Sequence, residues 1–188
     1  MIKQSGPTSK YIRIRGTEEV WAQTLKVAST SMQKALPKPV MYTELQTGDH
    51  VRMIVRDPRD RLVSAWRWFT GPHNSYIPEV PEHVSRYLLD KDTEFKGWVE
   101  TAVQNCNEHW VPQTTIHPRW REFELIPITD LHKLGWGHEK KLRSDNTWEQ
   151  YYDDGLLALV NEIYKEDVEM YKEATNEQGN NTGTNRVL

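Results

Sequence analysis

Two short stretches gather the residue types that grip anions. In Val51 to Phe69, Arg56 closes the apolar run Val51-Arg52-Met53-Ile54-Val55, and Ser64 follows within the same stretch. A guanidinium offers paired N–H donors to an oxyanion and a serine adds a hydroxyl, so this pair suits a phosphate or sulfate. In Leu25 to Met32, Lys26 precedes Ala28, Ser29, Thr30 and Ser31, which open the helical stretch Met32 to Leu36. Small residues at a helix start leave backbone N–H groups free to cradle phosphate, here with a lysine beside them. Neither stretch carries the glycines of G-x-x-x-x-G-K-[ST], which argues against an ordinary nucleotide triphosphatase loop.

The elements around these residues follow from local pattern. Val51 to Val55 reads as a buried parallel strand. Asp57 then suits an N-cap, Pro58 the first helical position and Asp60 the first turn, which predicts a strand, a tight turn and a helix. Along that helix Leu62, Trp66 and Phe69 form a core stripe, with Arg61, Ser64 and Trp68 on a different face. Arg56 and Ser64 then converge in the crevice where open α/β sheets bind ligands. Upstream, Tyr11 to Arg15 predicts an edge strand or an arm, Val20 to Leu25 a strand feeding Lys26, and Val40 to Leu45 the next strand. Downstream, Val84 to Leu89 and Phe95 to Val103 read as helices, the second capped by Asp92-Thr93. Phe123 to Ile128 reads as a strand and Asp130 to Leu134 as a short helix. A long amphipathic helix is predicted from Asp154 or Gly155 by the spacing of Leu156, Val160, Ile163, Tyr164 and Tyr171. The expected organisation is one domain over residues 1–175, then a polar tail over 176–188 that cannot bury a core.

In this order and spacing the two anion stretches resemble the PAPS-dependent sulfotransferases, PAPS being 3′-phosphoadenosine 5′-phosphosulfate. The carbohydrate branch is the most similar: Leu25-Lys26-Val27-Ala28-Ser29-Thr30 is similar to its P-K-V-A-C-T, and Arg56 to Trp66 to its R-x-P-x-x-R-L-V-S-A-Y. His109-Trp110-Val111-Pro112-Gln113 resembles its H-W-x-P-Q, and Ile163 to Tyr171 its terminal I-Y-x-x-D-x-x-x-Y. The resemblance implies a P-loop-like three-layer α/β fold, with a small central parallel sheet flanked by helices and a long C-terminal helix. It implies sulfuryl transfer from PAPS to a hydroxyl acceptor of a small molecule or glycan. Lys26 would stabilise charge on the leaving phosphate, Ala28, Ser29, Thr30 and Ser31 would hold the 5′-phosphosulfate, and Arg56 with Ser64 the 3′-phosphate. Arg56 could instead pair only with Asp57 or Asp60, and Arg61 either points at the nucleotide or lies on the helix surface. Lys140, Lys141 and Arg143 either close over the nucleotide or form a solvated face. Two residues compete as the base. Glu44 is preferred for its place at the carboxyl end of a strand near Lys26; His109 has a near-neutral intrinsic pKa and a motif match. Ser29 and Ser31 depart from the family's usual cysteine and asparagine. Between Gly71 and Pro81, a proline-rich excursion is where acceptor-facing loops fall in this family. Trp66 is assigned to the core, whereas Trp68 could stack on a sugar face.

Composition sets outer bounds. The 188 residues carry 24 Lys+Arg against 27 Asp+Glu, a formal charge of −3, which gives no global basic footprint for nucleic acid. Eight Trp and eight Tyr offset a hydrophobic content of 37%. Cys106 is the single cysteine, and no His or Cys spacing matches a metal motif, so neither an intramolecular disulfide nor a metal is expected. No membrane-length apolar run and no signal peptide are visible, so a cytoplasmic protein of bacterial or viral source, without a membrane partner, is expected. Two alternatives remain: a non-catalytic nucleotide-binding module of the same fold, and a small-molecule kinase.

Overall fold

The computed structural model describes residues 10–14, 16–27, 32, 35–36, 40–72, 77, 80–135 and 147–180. Its strands are β1 (Lys10–Ile14), β2 (Glu19–Gln23), β3 (Val40–Thr43), β4 (His50–Val55) and β5 (Glu124–Pro127). They form one mixed sheet in the order β3-β1-β2-β4-β5. β2, β4 and β5 run parallel, with Ala22 opposite Met53 and Met53 opposite Leu125, whereas β1 is antiparallel to both β2 and β3. The expected edge strand is therefore an inner one. Its basic residues mislead because each is paired with a carboxylate: Arg13 donates twice to Asp49 at 2.7 Å, and Lys10 pairs with Glu108 at 2.7 Å.

The helices are α1 (Pro58–Phe69), α2 (Glu82–Leu89), α3 (Phe95–Ala102), α4 (Gln113–Ile116), α5 (Asp154–Ile163) and α6 (Lys165–Asn180). Two faces of the sheet are covered, because side chains alternate along each strand. On one side Val20, Ala22, Val51, Met53 and Val55 pack with Trp120, Phe123 and, from α6, Met170 and Ala174. On the other Ile12, Trp21, Ile54 and Ile126 pack with Val27, Met32, Leu36 and Leu131. This is a P-loop-like three-layer α/β arrangement. A third cluster, lying among the helices, joins Leu62, Phe69, Leu88, Trp98, Trp110, Leu156, Val160 and Tyr164.

Three expectations change in detail. The long C-terminal helix is two helices, broken at Tyr164 (φ −103°, ψ 25°), and α6 continues to Asn180, five residues into the segment read as an unstructured tail. α3 starts after Glu94, so Asp92 and Thr93 fall before the cap position and neither side chain caps it; Thr93 Oγ1 donates to Tyr87 O. The helix over Asp130 to Leu134 is a 3-10 helix from Ile128 to Leu134. Positions 33–34 of the Met32 to Leu36 helix, and positions 73–76 and 78–79 of the proline-rich excursion, lie outside the described residues.

Candidate active site

The carboxyl ends of β2 and β4 lie side by side in the sheet, so the chain leaves both strands on the same edge. At the first exit, Lys26 takes a positive φ of 60°, the left-handed region that costs a non-glycine residue about 1–3 kcal/mol. The conformation persists because its carbonyls are pinned. Arg61 Nε donates to Leu25 O at 3.2 Å, and Arg56 Nη1 donates to Lys26 O at 3.0 Å. The expected meeting of the Lys26 and Arg56 stretches is thus a direct hydrogen bond. Burial, and next the positive charge of Arg56, push the Lys26 ammonium down from 10.5 to about 7.

At the second exit the local signals operate as read. Asp57 caps α1 by accepting from Arg59 N at 2.9 Å, and Pro58 begins the helix. Arg56 Nε pairs with Asp60 at 2.7 Å, so the purely structural pairing considered for Arg56 is present together with the contact to Lys26. Ser64, half-buried, stands one turn beyond Asp60 on the same face of α1. Arg61 takes neither of its expected places. It is 1% exposed and spends its donors on three carbonyls, Leu25 O, Val111 O at 2.6 Å and Glu108 O at 3.1 Å. A guanidinium can enter the interior when its N–H groups are satisfied there, and this one ties the Lys26 turn to the segment carrying His109.

That segment is a third corner. The Asn107 amide oxygen accepts from His109 N at 3.0 Å and from its Nδ1–H at 2.7 Å, leaving Nε2 as the acceptor nitrogen. The ring stacks on Trp68 (5.7 Å, 14°) and meets Phe69 edge-on at 4.9 Å. Burial, and then the charge of Lys26, lower the His109 pKa to about 4, so the imidazole is neutral at ordinary pH. Lys26 Nζ itself lies 3.5 Å from the Trp68 ring centroid, which brings Lys26, Trp68 and His109 into one group.

The support for this corner comes from α5 and α6. Asp167, fully buried, accepts from Gln113 N at 2.7 Å, from Thr114 N at 2.9 Å and from Thr114 Oγ1 at 2.9 Å, while Tyr164 OH donates to Trp110 O. Gln113 Nε2 in turn donates to Arg56 O at 2.9 Å. The Tyr and Asp of the terminal motif therefore hold the H-W-x-P-Q stretch, whose glutamine holds the backbone of Arg56. Sequence reasoning noted both motifs and missed their contact; the signal available was the absence of a nearby partner for a buried aspartate in an apolar helical face.

Glu44 is placed apart from this group. It is exposed, one residue past β3, and β1 intervenes between β3 and β2. Thr43 and Ala22 face Tyr11 from either side, so the two parallel strands run about 10 Å apart. Ala28, Ser29, Thr30 and Ser31, and Lys140, Lys141 and Arg143, lie outside the described residues. Close to Lys26 in the chain, Gln23 Nε2 and Thr24 Oγ1 are buried and find no partner among the described residues, as is Nδ1 of His117, whose Nε2–H donates to Gln23 O at 3.1 Å. Among the described residues no cluster of His, Cys, Asp and Glu is arranged to hold a metal, and no helix is long and apolar enough to cross a membrane.

A sequence model described as the sulfotransferase family matches residues 15–142, more than half of the chain and including all three corners. No curated protein and no solved structure matches.

Proposed function

The chain belongs to the sulfotransferase family, and from that premise we propose that it transfers the sulfuryl group of PAPS to a hydroxyl of a carbohydrate. The observation that carries this reading is the junction of two cationic corners, Arg56 Nη1 on Lys26 O at 3.0 Å, with Asp60 the carboxylate paired to Arg56. Two neighbouring cations, one of them partly discharged by its surroundings, fit a ligand that brings several negative charges. Arg56 and Ser64 hold the 3′-phosphate of that ligand, and Ala28, Ser29, Thr30 and Ser31 the 5′-phosphosulfate. Lys140, Lys141 and Arg143 cover the nucleotide.

Transfer forms a bond from the acceptor oxygen to sulfur and breaks the bond from sulfur to the phosphate oxygen, with adenosine 3′,5′-bisphosphate (PAP) leaving. Lys26, as ammonium, neutralises the charge that develops on that oxygen, the step where electrostatic stabilisation matters most. The acceptor proton needs a base. His109 takes it at Nε2 in this reading, supported by the tautomer that Asn107 imposes and by the ring that His109 shares with Lys26. Glu44, first preferred, is the rival; the interposed β1 weakens its case. A carbohydrate acceptor is supported by Trp68, 43% exposed beside both groups, since an indole offers a flat apolar surface to a sugar ring.

The test is transfer of labelled sulfate from PAPS to a panel of glycans and simple alcohols, run beside Lys26→Ala, with PAP and ATP compared as ligands. Glycan labelling that disappears in Lys26→Ala, with PAP bound in preference to ATP, is expected. Labelling of alcohols but not glycans would replace the acceptor class, and PAP binding without any transfer would replace the enzyme by a binding module.

A further inference from the structure

Lys26 is fixed everywhere except along its side chain. Its carbonyl is held by Arg56, the preceding carbonyl by Arg61, and its φ of 60° leaves the backbone little choice. The four-carbon stem would ordinarily wander through many rotamers. Here it ends with Nζ 3.5 Å from the Trp68 centroid and 5.7 Å from that of Phe69. At such distances the negative face of an indole attracts an ammonium, and partial burial strengthens the attraction.

The receiving ring is itself located by fixed neighbours. Trp68 stands in the last turn of α1, edge-on to Phe69 at 4.7 Å and stacked with His109 at 5.7 Å. Phe69 is 2% exposed and packs against Trp98 and Trp110; His109 is tied to Asn107. A half-exposed tryptophan would otherwise be free to swing into solvent, and this one is braced on the side of the molecule where Lys26 must act.

We propose that Trp68 is the positioning residue for Lys26: its indole holds the ammonium poised beside the anion site in the donor-free protein, and yields it to the donor phosphate. The release step rests on the sulfotransferase reading given above; the holding step does not. The exchange runs in the needed direction because a multiply charged phosphate attracts an ammonium more strongly than a ring quadrupole does. No bond is made or broken in it. The ammonium leaves the ring when the donor arrives, which also clears indole surface next to His109.

The experiment compares wild type, Trp68→Leu, which removes the π face, and Trp68→Phe, which keeps a smaller one. Because the ammonium has left the ring in the donor complex, Trp68→Leu is expected to act on donor binding and not on turnover: the dissociation constant for PAP should fall by up to about tenfold, the scale of one cation–π contact that no longer competes with the phosphate, with kcat changed less than threefold and with Trp68→Phe lying between the two. A merely structural role would weaken PAP binding and lower the melting temperature together, and that result overturns the proposal, as does an unchanged PAP affinity in Trp68→Leu. Emission of Trp68, isolated by subtracting the Trp68→Phe spectrum measured in the same background, is expected to change on adding PAP to wild type. In Lys26→Gln it is expected to differ already without ligand, and to respond little to PAP. If PAP does not bind any variant, the donor reading falls with the release step. The ligand-free comparison still decides the holding step, since emission identical in wild type and Lys26→Gln refutes it.

Discussion

PAP binding should weaken as pH rises above 7, through the protonation of Lys26. Burial and the Arg56 charge set the free-protein pKa of this ammonium at about 7, against 10.5 for an ordinary lysine. At pH 8 about one tenth of the free protein therefore carries the charge, and at pH 9 about one hundredth. A phosphate beside Nζ favours the charged form, so the bound-state pKa lies higher and binding takes up a proton, about half a proton at pH 7 and about 0.9 at pH 8. If the charged form is the binding form, the apparent dissociation constant grows by the inverse of its population, roughly tenfold from pH 7.5 to 8.5 and onward until the bound-state pKa is reached. That window is clean, because the phosphates are fully ionised above pH 7.5 and His109, at about 4, has long been neutral. Isothermal titration in two buffers of different ionisation heat reads both the affinity and the proton uptake. Lys26→Arg, charged throughout, should flatten the profile. An affinity that stays level from pH 7.5 to 8.5 in wild type, or a slope that survives in Lys26→Arg, would refute the argument. The same shift has a stability consequence of defined sign: between about 7 and 10.5 the unfolded chain binds the extra proton, so this group makes the fold more stable as pH rises through that range.

Arg56→Ala should weaken PAP far more than adenosine 5′-phosphosulfate, which lacks the 3′-phosphate; equal losses by titration calorimetry would place Arg56 elsewhere. Arg61→Met should destabilise the protein by roughly 3–5 kcal/mol in urea unfolding, since three buried carbonyls lose their donor; a change below 1 kcal/mol would contradict the tying role. Asp167→Ala should cost about 2–4 kcal/mol by the same assay because it strands the N–H groups of Gln113 and Thr114, and it should lower kcat through the Arg56 and His109 corners. His109→Gln should reduce kcat by about 100-fold or more with little change in PAPS affinity, and Glu44→Gln by less than threefold; the reverse ranking, measured at saturating PAPS, would make Glu44 the base.

What the amino-acid order reveals here divides by range. The turn from β4 into α1 could be read residue by residue because its determinants are neighbours: Val51 to Val55 supply the strand, and Asp57 and Pro58 the helix start. Burial of Arg61 could not be read, since its three acceptors come from positions 25, 108 and 111 and exist only after the chain has folded. The position of β1 failed for a related reason. Alternating basic residues usually mark a solvated edge, and Asp49 and Glu108, which neutralise Arg13 and Lys10, are far away in sequence. The break at Tyr164 is likewise tertiary, for its hydroxyl bonds the Trp110 carbonyl 54 positions away. Lys26 could be singled out by its neighbours in sequence, but not its resting place on Trp68, which depends on how α1 lies against the end of β2.

The family match stops at residue 142, yet the site it contains is not self-supporting. Gln113 reaches Arg56 O only because its own backbone N–H is held by Asp167, and Trp110 follows His109 at a fixed angle because its carbonyl is held by Tyr164. Both holding groups lie at the junction of α5 and α6, beyond the matched stretch, and both are buried. A continuous helix through Tyr164 would carry the two side chains along one regular helical path. The break lets Tyr164 face Trp110 while Asp167, in the first turn of α6, meets the start of α4 and accepts from the first two N–H groups, Gln113 and Thr114, whereas those of Thr115 and Ile116 already reach Pro112 O. Truncation before Tyr164 should therefore abolish sulfate transfer even though every proposed donor-binding residue remains, and it should do so with loss of PAP affinity, because Arg56 would lose its backbone support. A truncated protein that kept wild-type affinity for PAP would show that the corners stand without the C-terminal pair.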